Sequence, residues 1–258
     1  MLIWVTFGYF LQLFVNIFLK KYFFKSYRMF FYGLVEIFGI KVNISGRPAS
    51  KKTLIICNHI SYLDILILGS KVNAIFVAKS EISNWPIINK LTAVGKTIFV
   101  RRKSRYDVKN QMQIIERNLR NNFNVILFPE GTSSDGLQVL PFKSSLFGII
   151  ENPKMKNFMI QPVSITYNKL DGVPVDLKYR PFLAWFGGMD LFSHAWKFLG
   201  LGTSEVQLNF HKPSKFASFA NRKIASEFCF NEISNQVNRN NMSKKVNKIL
   251  KLNEFKIL

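Results

Sequence analysis

Acidic side chains are scarce. Fifteen Asp and Glu stand against 36 Lys and Arg in 258 residues, a net charge of +21. Such a chain is drawn to anionic partners: nucleic acid, anionic lipid headgroups or an acidic carrier protein. Charge alone does not choose among them. Nucleic-acid recognition also needs basic residues interleaved with stacking aromatics in a recognisable module, and none is present. Cysteine is scarcer still. Cys57 and Cys229 form no Cys-x-x-Cys pair and share no metal-ligand spacing with the three histidines. That excludes a disulfide framework and a zinc motif. Two free thiols in a reducing compartment are the natural reading, with one bridge between them left open. No basic stretch precedes the first apolar run, whose first charge is Lys20, so a cleavable signal peptide is not expected. Internal repeats and low-complexity linkers are also missing.

What is abundant is apolar and aromatic. Hydrophobic residues make up 48% of the chain and charged ones 20%, enough to bury a core and too few charges for wholesale disorder. The 26 Phe gather near the start. Residues 2–19 are nearly all apolar, and Met29–Ile40 is a second, shorter run. As a helix the first would reach about 27 Å at about 1.5 Å per residue, marginal against a hydrocarbon core of about 30 Å. Lys20, Lys21, Lys25 and Arg28 lie between the runs. The expectation is two helices buried in one leaflet with the basic link at the headgroups; a single span over 2–19 is the rival. In either case the positive flank follows the first helix and puts the rest of the chain on the cytoplasmic side.

Beyond residue 40 the pattern changes. Short β-rich runs are predicted at Lys41–Ser45, Thr53–Cys57, Ala74–Ala78, Thr97–Val100, Asn124–Phe128, Gln161–Tyr167 and Val206–Phe210. Val108, Met112, Ile115 and Leu119 recur at helical spacing within Arg105–Asn121, and 143–150 and 216–236 also read as helical. Alternating strands and helices predict an α/β domain, a mixed and mostly buried sheet flanked by helices. The division expected is a helical membrane anchor over 1–40, the main domain over 41–238 and a basic tail over 239–258. Val246, Ile249 and Leu250 of that tail could form one apolar edge on a membrane surface, or the tail could be frayed and solvated.

Two stretches carry chemistry. In Ile55-Ile56-Cys57-Asn58-His59-Ile60-Ser61-Tyr62-Leu63-Asp64 a strand runs into a polar cluster. A histidine is the simplest general base near neutral pH, and a carboxylate on its other nitrogen fixes the tautomer. Five positions on one helix would put the two on different faces. The pair works only if His59 is in a loop and Asp64 in the first helical turn. The competing reading is a capping box, Ser61-x-x-Asp64, in which Asp64 satisfies backbone donors. In Val125-Ile126-Leu127-Phe128-Pro129-Glu130-Gly131-Thr132-Ser133-Ser134 a buried strand ends in a turn with a carboxylate, a glycine and three hydroxyls. Strand ends of α/β sheets are where ligands bind, and the Gly131 N–H could face an anionic oxygen. Taken alone it is equally an ordinary turn.

Together, Asn-His-x-x-x-x-Asp and Phe-Pro-Glu-Gly-Thr resemble the glycerolipid acyltransferase family, which includes the 1-acyl-sn-glycerol-3-phosphate acyltransferases. Ala78-Lys79-Ser80-Glu81 with Trp85-Pro86, Gly95 and Ile98-Phe99-Val100-Arg101-Arg102 resembles that family's second motif, and Ile160-Gln161-Pro162-Val163-Ser164-Ile165 its fourth. The resemblance implies acyl transfer from acyl carrier protein or acyl-coenzyme A to the sn-2 hydroxyl of lysophosphatidate, at the cytoplasmic face of the inner membrane. No metal or further cofactor is implied. His59 would be the base and Asp64 its orienting partner. Glu130, Gly131 and Thr132 would hold the acceptor headgroup, Arg101 would pair with its phosphate, Lys79 lies in the same motif, and Pro162 would shape the donor side. There are departures. Thr132 is followed by Ser133 where the family commonly has Arg, with Lys143 a partial substitute, and Asn89 stands where many members have Gly. The segment Tyr179–Asp190, with His194, Trp196 and Phe210-His211-Lys212-Pro213, resembles a bacterial branch that also acts on lyso-ornithine lipid. That makes lyso-ornithine lipid the alternative acceptor. His194 and His211 read as packing or surface residues. Trp185 and Phe186 read equally as an acyl groove, a bilayer contact or core.

Overall fold

The computed structural model describes residues 1–50, 52–79, 90, 92–100 and 105–254. Two helices open the chain, α1 (Leu2–Phe18) and α2 (Phe23–Ile37), joined by a 3₁₀ turn over Lys20–Tyr22. At 17 residues α1 is about 25 Å long. Among the described residues no helix is long and apolar enough to cross a membrane. The hairpin is closed by a hydrogen bond from Trp4 Nε1 to the Phe30 carbonyl and by a buried polar pair, Ser26 Oγ to Gln12 Oε1 at 2.7 Å.

The sheet that follows is mixed. Its strands are β1 (Ile40–Ser45), β2 (Thr53–Cys57), β3 (Ala74–Lys79), β4 (Ile98–Val100), β5 (Asn124–Leu127), β6 (Met159–Leu170) and β8 (Ser204–Phe210), in the spatial order β1-β8-β6-β2-β5-β3-β4. The short β7 (Val173–Pro174) and β9 (Ser214–Lys215) pair with β6. β6, β2, β5, β3 and β4 run parallel; β8 is antiparallel to β6, and β1 parallel to β8. The helices are α3 (Leu63–Lys71), α4 (Arg105–Arg120), α5 (Arg180–Leu183), α6 (Leu191–Leu199) and α7 (Arg222–Glu254).

β2 shows why the sheet is sandwiched. All five residues are buried, and alternate ones face opposite cores. Ile55 and Cys57 join a cluster with α2, α3 and the Leu183–Phe198 segment. Leu54 and Ile56 join one with α4, the 3₁₀ segment Ser144–Glu151 and α7. Cys57 and Cys229 therefore belong to different cores and are both free. The sequence pattern at 143–150 folds as 3₁₀ rather than α-helix. The run predicted over 216–236 divides into a 3₁₀ turn at Phe216–Ser218 and α7, which continues to Glu254. Ala225, Cys229, Ile233 and Val237, four residues apart, form the buried stripe of α7.

Pro162 lies inside β6, between β2 and β8, where a proline would ordinarily remove a ladder bond. Here the partner is interrupted: β9 pairs with Met159 and Ile160, β8 resumes at Val163, and Pro162 itself accepts from the His211 N–H. The missing N–H falls in that gap.

Candidate active site

The chain leaves β2 toward α3 and β3 on one side of the sheet, and leaves β5 toward β6 on the other. The neighbouring parallel strands β2 and β5 therefore open a crevice at their carboxyl ends, the usual ligand site of such sheets. His59 follows β2 and Glu130 follows β5. Asn58 fixes the exit of β2, because its side-chain amide donates to the Ile165 carbonyl and accepts from the Ile165 N–H, at 3.0 and 2.9 Å. His59 then sits in the loop and Asp64 in the first turn of α3, the arrangement that the five-residue spacing requires.

Asp64 is fully buried. Its Oδ2 lies 2.8 Å from His59 Nδ1 and accepts from the N–H groups of Ile60 and Ser61 at 2.6 and 2.9 Å. Its Oδ1 accepts from the Tyr167 hydroxyl at 2.8 Å. The two readings of Asp64, backbone cap and histidine partner, are thus both satisfied at once. The His59 ring stacks on Phe128, centroids 4.2 Å apart. With Nδ1 committed to the carboxylate, Nε2 is the nitrogen left for a substrate.

The loop after β5 grips His59 by its backbone. Glu130 Oε1 accepts from the His59 N–H at 2.7 Å, while the Ser134 N–H and Oγ both donate to the His59 carbonyl at 2.9 and 3.2 Å. Glu130 Oε2 accepts from the Leu140 N–H. Burial pushes the Glu130 carboxyl up to about 8, against the pull of those two amides and with Asp64's charge adding to the rise. Glu130 was expected at the acceptor headgroup; in the structure its carboxylate clasps two loops through the His59 and Leu140 amides. Gly131, at φ +75°, closes the turn with its N–H on the Phe128 carbonyl, so that N–H is not the free donor anticipated. Thr132 is exposed beside it, and Lys143, also exposed, is tied by its N–H to the Pro129 carbonyl. Lys79 ends β3 and pairs with Val100 of β4. Arg101, Asn89 and the Trp85-Pro86 pair lie outside the described residues.

A cavity of about 250 Å³ lies between the helical hairpin and the sheet. His59 is on its wall, among Val5, Phe30, Leu34, Ile65 and Trp185. Trp185 is thus a cavity residue, held by its indole N–H on the Met189 carbonyl, whereas Phe186 packs on the core. His194 is buried, with Tyr62 Oη 3.2 Å from its Nδ1, and burial lowers its pKa. His211 bridges Ser164 and Glu232 at the far end of β8. Tyr167, Ser134 and Phe128 were missed as site residues. Tyr167 had one legible signal. It is an even number of residues from Val163 and Ile165, which puts it on the face of the sheet that Cys57 occupies.

Comparison with known proteins decides what this site belongs to. The family model described as Acyltransferase matches residues 40–166. The lyso-ornithine lipid O-acyltransferase of Rhizobium meliloti is 34% identical over 74% of this chain and 67% of its own length; that of Rhodobacter capsulatus is 35% identical over 76% and 69%. The chain belongs to the acyltransferase family. A 1-acyl-sn-glycerol-3-phosphate acyltransferase of Neisseria gonorrhoeae is 38% identical over 40% of the chain and 41% of its own length. The fold is that of the 1-acyl-sn-glycerophosphate acyltransferase of Thermotoga maritima, with a TM-score of 0.65 at 21% identity over 92% of this chain and 95% of that one. The protein is an O-acyltransferase of lipid metabolism, and both matched motifs, around His59 and Glu130, fall inside the family region.

Proposed function

We propose that this acyltransferase moves a fatty acyl group from a thioester carrier to the free hydroxyl of a lysolipid, at the cytoplasmic face of a membrane. The observation that carries the reading is the His59–Asp64 pair: an imidazole whose Nδ1 is held by a buried carboxylate and whose ring borders an apolar cavity. His59 Nε2 takes the acceptor's proton as the acceptor oxygen attacks the thioester carbonyl. The C–S bond then breaks, and the thiolate recovers the proton from the imidazolium. Asp64 stabilises that imidazolium, and no acyl-enzyme forms. The cavity takes acyl chain, and the exposed apolar face of α1, with Ile3, Phe7, Phe10, Phe14 and Phe18, rests in one leaflet. The donor is acyl carrier protein or acyl-coenzyme A.

For the acceptor, lyso-ornithine lipid is favoured. The relatives of that activity align over three quarters of the chain, and Ser133 replaces the Arg common after Thr in phosphate-binding members. Lysophosphatidate is the second reading. It is favoured by Lys143, a point charge tied to the loop after β5, and in sequence by Arg101. The test is acyl transfer by purified protein in detergent, with both acceptors offered in parallel. His59→Ala is expected to lose about 10²-fold or more in kcat, the scale of a general base, while keeping its melting temperature. A folded variant with near wild-type turnover would overturn the mechanism. The acceptor consumed decides between the two readings.

A further inference from the structure

The outer face of α2 and of the 3₁₀ turn before it is unlike the inner one. Tyr27, Phe31 and Leu34 face the core, whereas Lys21 of the turn and Lys25 and Arg28 of α2 follow one another outside at spacings of four and three residues. Opposite them are Ser70 and Asn73, where α3 gives way to β3. Between the two walls lies an open groove of about 620 Å³, with Phe24, Met29 and Tyr32 also lining it. Arg28 Nε donates to the Ser70 carbonyl at 3.3 Å, which fixes the guanidinium at the wall. More cations lie along the same helix. Lys71 Nζ lies over the ring of Tyr32, which lines the groove, and Lys96 Nζ is 4.3 Å from the Phe23 ring centroid at the start of α2. Lys96 is also near enough to Lys20 that burial and then that charge lower its pKa. Among the described residues none of these cations is within ion-pair distance of a carboxylate.

A Lys-rich chain carries solvated cations on every face, so number alone argues nothing. Here the cations line a groove, one is anchored by the backbone, and like charges are gathered without an acid to offset them. Such a group calls for an anion. The groove's apolar side chains, with Tyr22, Met29 and Tyr32 all exposed, suit the boundary between headgroup and acyl chain. We infer that this groove binds the phosphodiester of an anionic membrane phospholipid, with Arg28 gripping it as a fork and Lys21 and Lys25 as point charges. The inference rests on the reading that the enzyme works on a membrane, and it adds a headgroup site to that reading. Since the inner face of α2 lines the catalytic cavity, a lipid held on its outer face sets the cavity's position at the bilayer.

Vesicle co-sedimentation of the full chain tests it, with phosphatidylglycerol mixed into phosphatidylcholine or with phosphatidylcholine alone. Lys25→Gln/Arg28→Gln is expected to lose about ten- to thirty-fold in partition to the anionic vesicles, from roughly 1 kcal/mol per cation, and to keep its binding to neutral ones. Lys21→Gln/Lys25→Gln, which leaves the Arg28–Ser70 bond intact, should behave alike. Lys154→Gln/Lys223→Gln, exposed cations on the opposite side of the sheet, should match wild type. Equal losses in all three variants would reduce the site to diffuse charge and overturn it. So would unchanged vesicle binding with a weakened affinity for an acidic acyl donor, since the groove would then be the donor's. Wild type that binds both vesicles equally overturns the headgroup site alone; wild type that binds neither overturns the membrane reading with it.

Discussion

Asp64 is a carboxylate with no contact with water, and burying such a charge is costly unless its oxygens are bonded. Four donors meet it: His59, two backbone amides and the Tyr167 hydroxyl. The first three come from its own loop. Tyr167 alone reaches it from β6, and so ties the His59–Asp64 pair to the sheet. Tyr167→Phe removes one charge-assisted hydrogen bond, an interaction of about 1.5–3 kcal/mol. The expected result is a loss of about ten-fold in kcat with the acceptor KM unchanged. In a double-mutant cycle, adding Tyr167→Phe to Asp64→Asn should cost little further, because both act through one carboxylate. Additive losses would mean that Tyr167 works elsewhere. Glu130 offers a pH test. Its carboxyl titrates near 8 in the folded protein, above the ordinary 4.5. The folded state therefore holds a proton that the unfolded chain releases, and stability falls as pH rises between about 4.5 and 8. Glu130→Gln should flatten that slope in urea midpoints taken at pH 5.5 and 8. The His–Asp pair was legible because strand, loop and spacing together allow one geometry. The use of Glu130 as a clasp was not, since a carboxylate beside glycine reads equally as ligand group or brace until its donors are placed.

At the scale of elements, the parts most easily read were those whose pattern is local. β2 and β5 each run apolar after one polar first residue, Thr53 and Asn124, and α4 has a clear stripe. Ser144–Glu151 reads as helical from its own residues, but its 3₁₀ form and the interrupted partner of β6 depend on neighbours distant in sequence, so no local periodicity announces them. The hairpin stands between these cases. Its two apolar runs were plain, but their packing turns on two glycines. A Cβ at Gly8 would run into the Phe30 ring, and one at Gly33 into the Trp4 indole. The helices meet where there is no side chain to keep them apart. Gly33→Val should force Trp4 aside, strain its bond to the Phe30 carbonyl and open the cavity wall between α1 and α2. The cost expected is about 1–3 kcal/mol, read as a lower melting temperature. Activity should fall most for long acyl chains, which need the intact cavity. A variant as stable and as active as wild type would show that the hairpin contributes nothing to the cavity.

Over the whole molecule basic residues outnumber acidic ones by more than two to one. A net +21 produces a field that extends about 10 Å at 0.1 M salt and about 3 Å at 1 M. The thioester donor of the proposed reaction is an anion in either form: the phosphates of acyl-coenzyme A or the acidic surface of acyl carrier protein. Its encounter should therefore weaken with salt, while the proton transfer at His59, enclosed by Asp64 and Phe128, should not. In detergent, where no bilayer charge intervenes, raising sodium chloride from 0.1 to 1 M is expected to raise the donor KM several-fold and leave kcat near its starting value. A KM indifferent to salt would confine the basic surface to lipid contact, and the donor would then be held by the apolar cavity alone. A kcat that fell in parallel would point instead to a salt-sensitive fold, and the melting temperature measured over the same series would separate that outcome from loss of donor attraction.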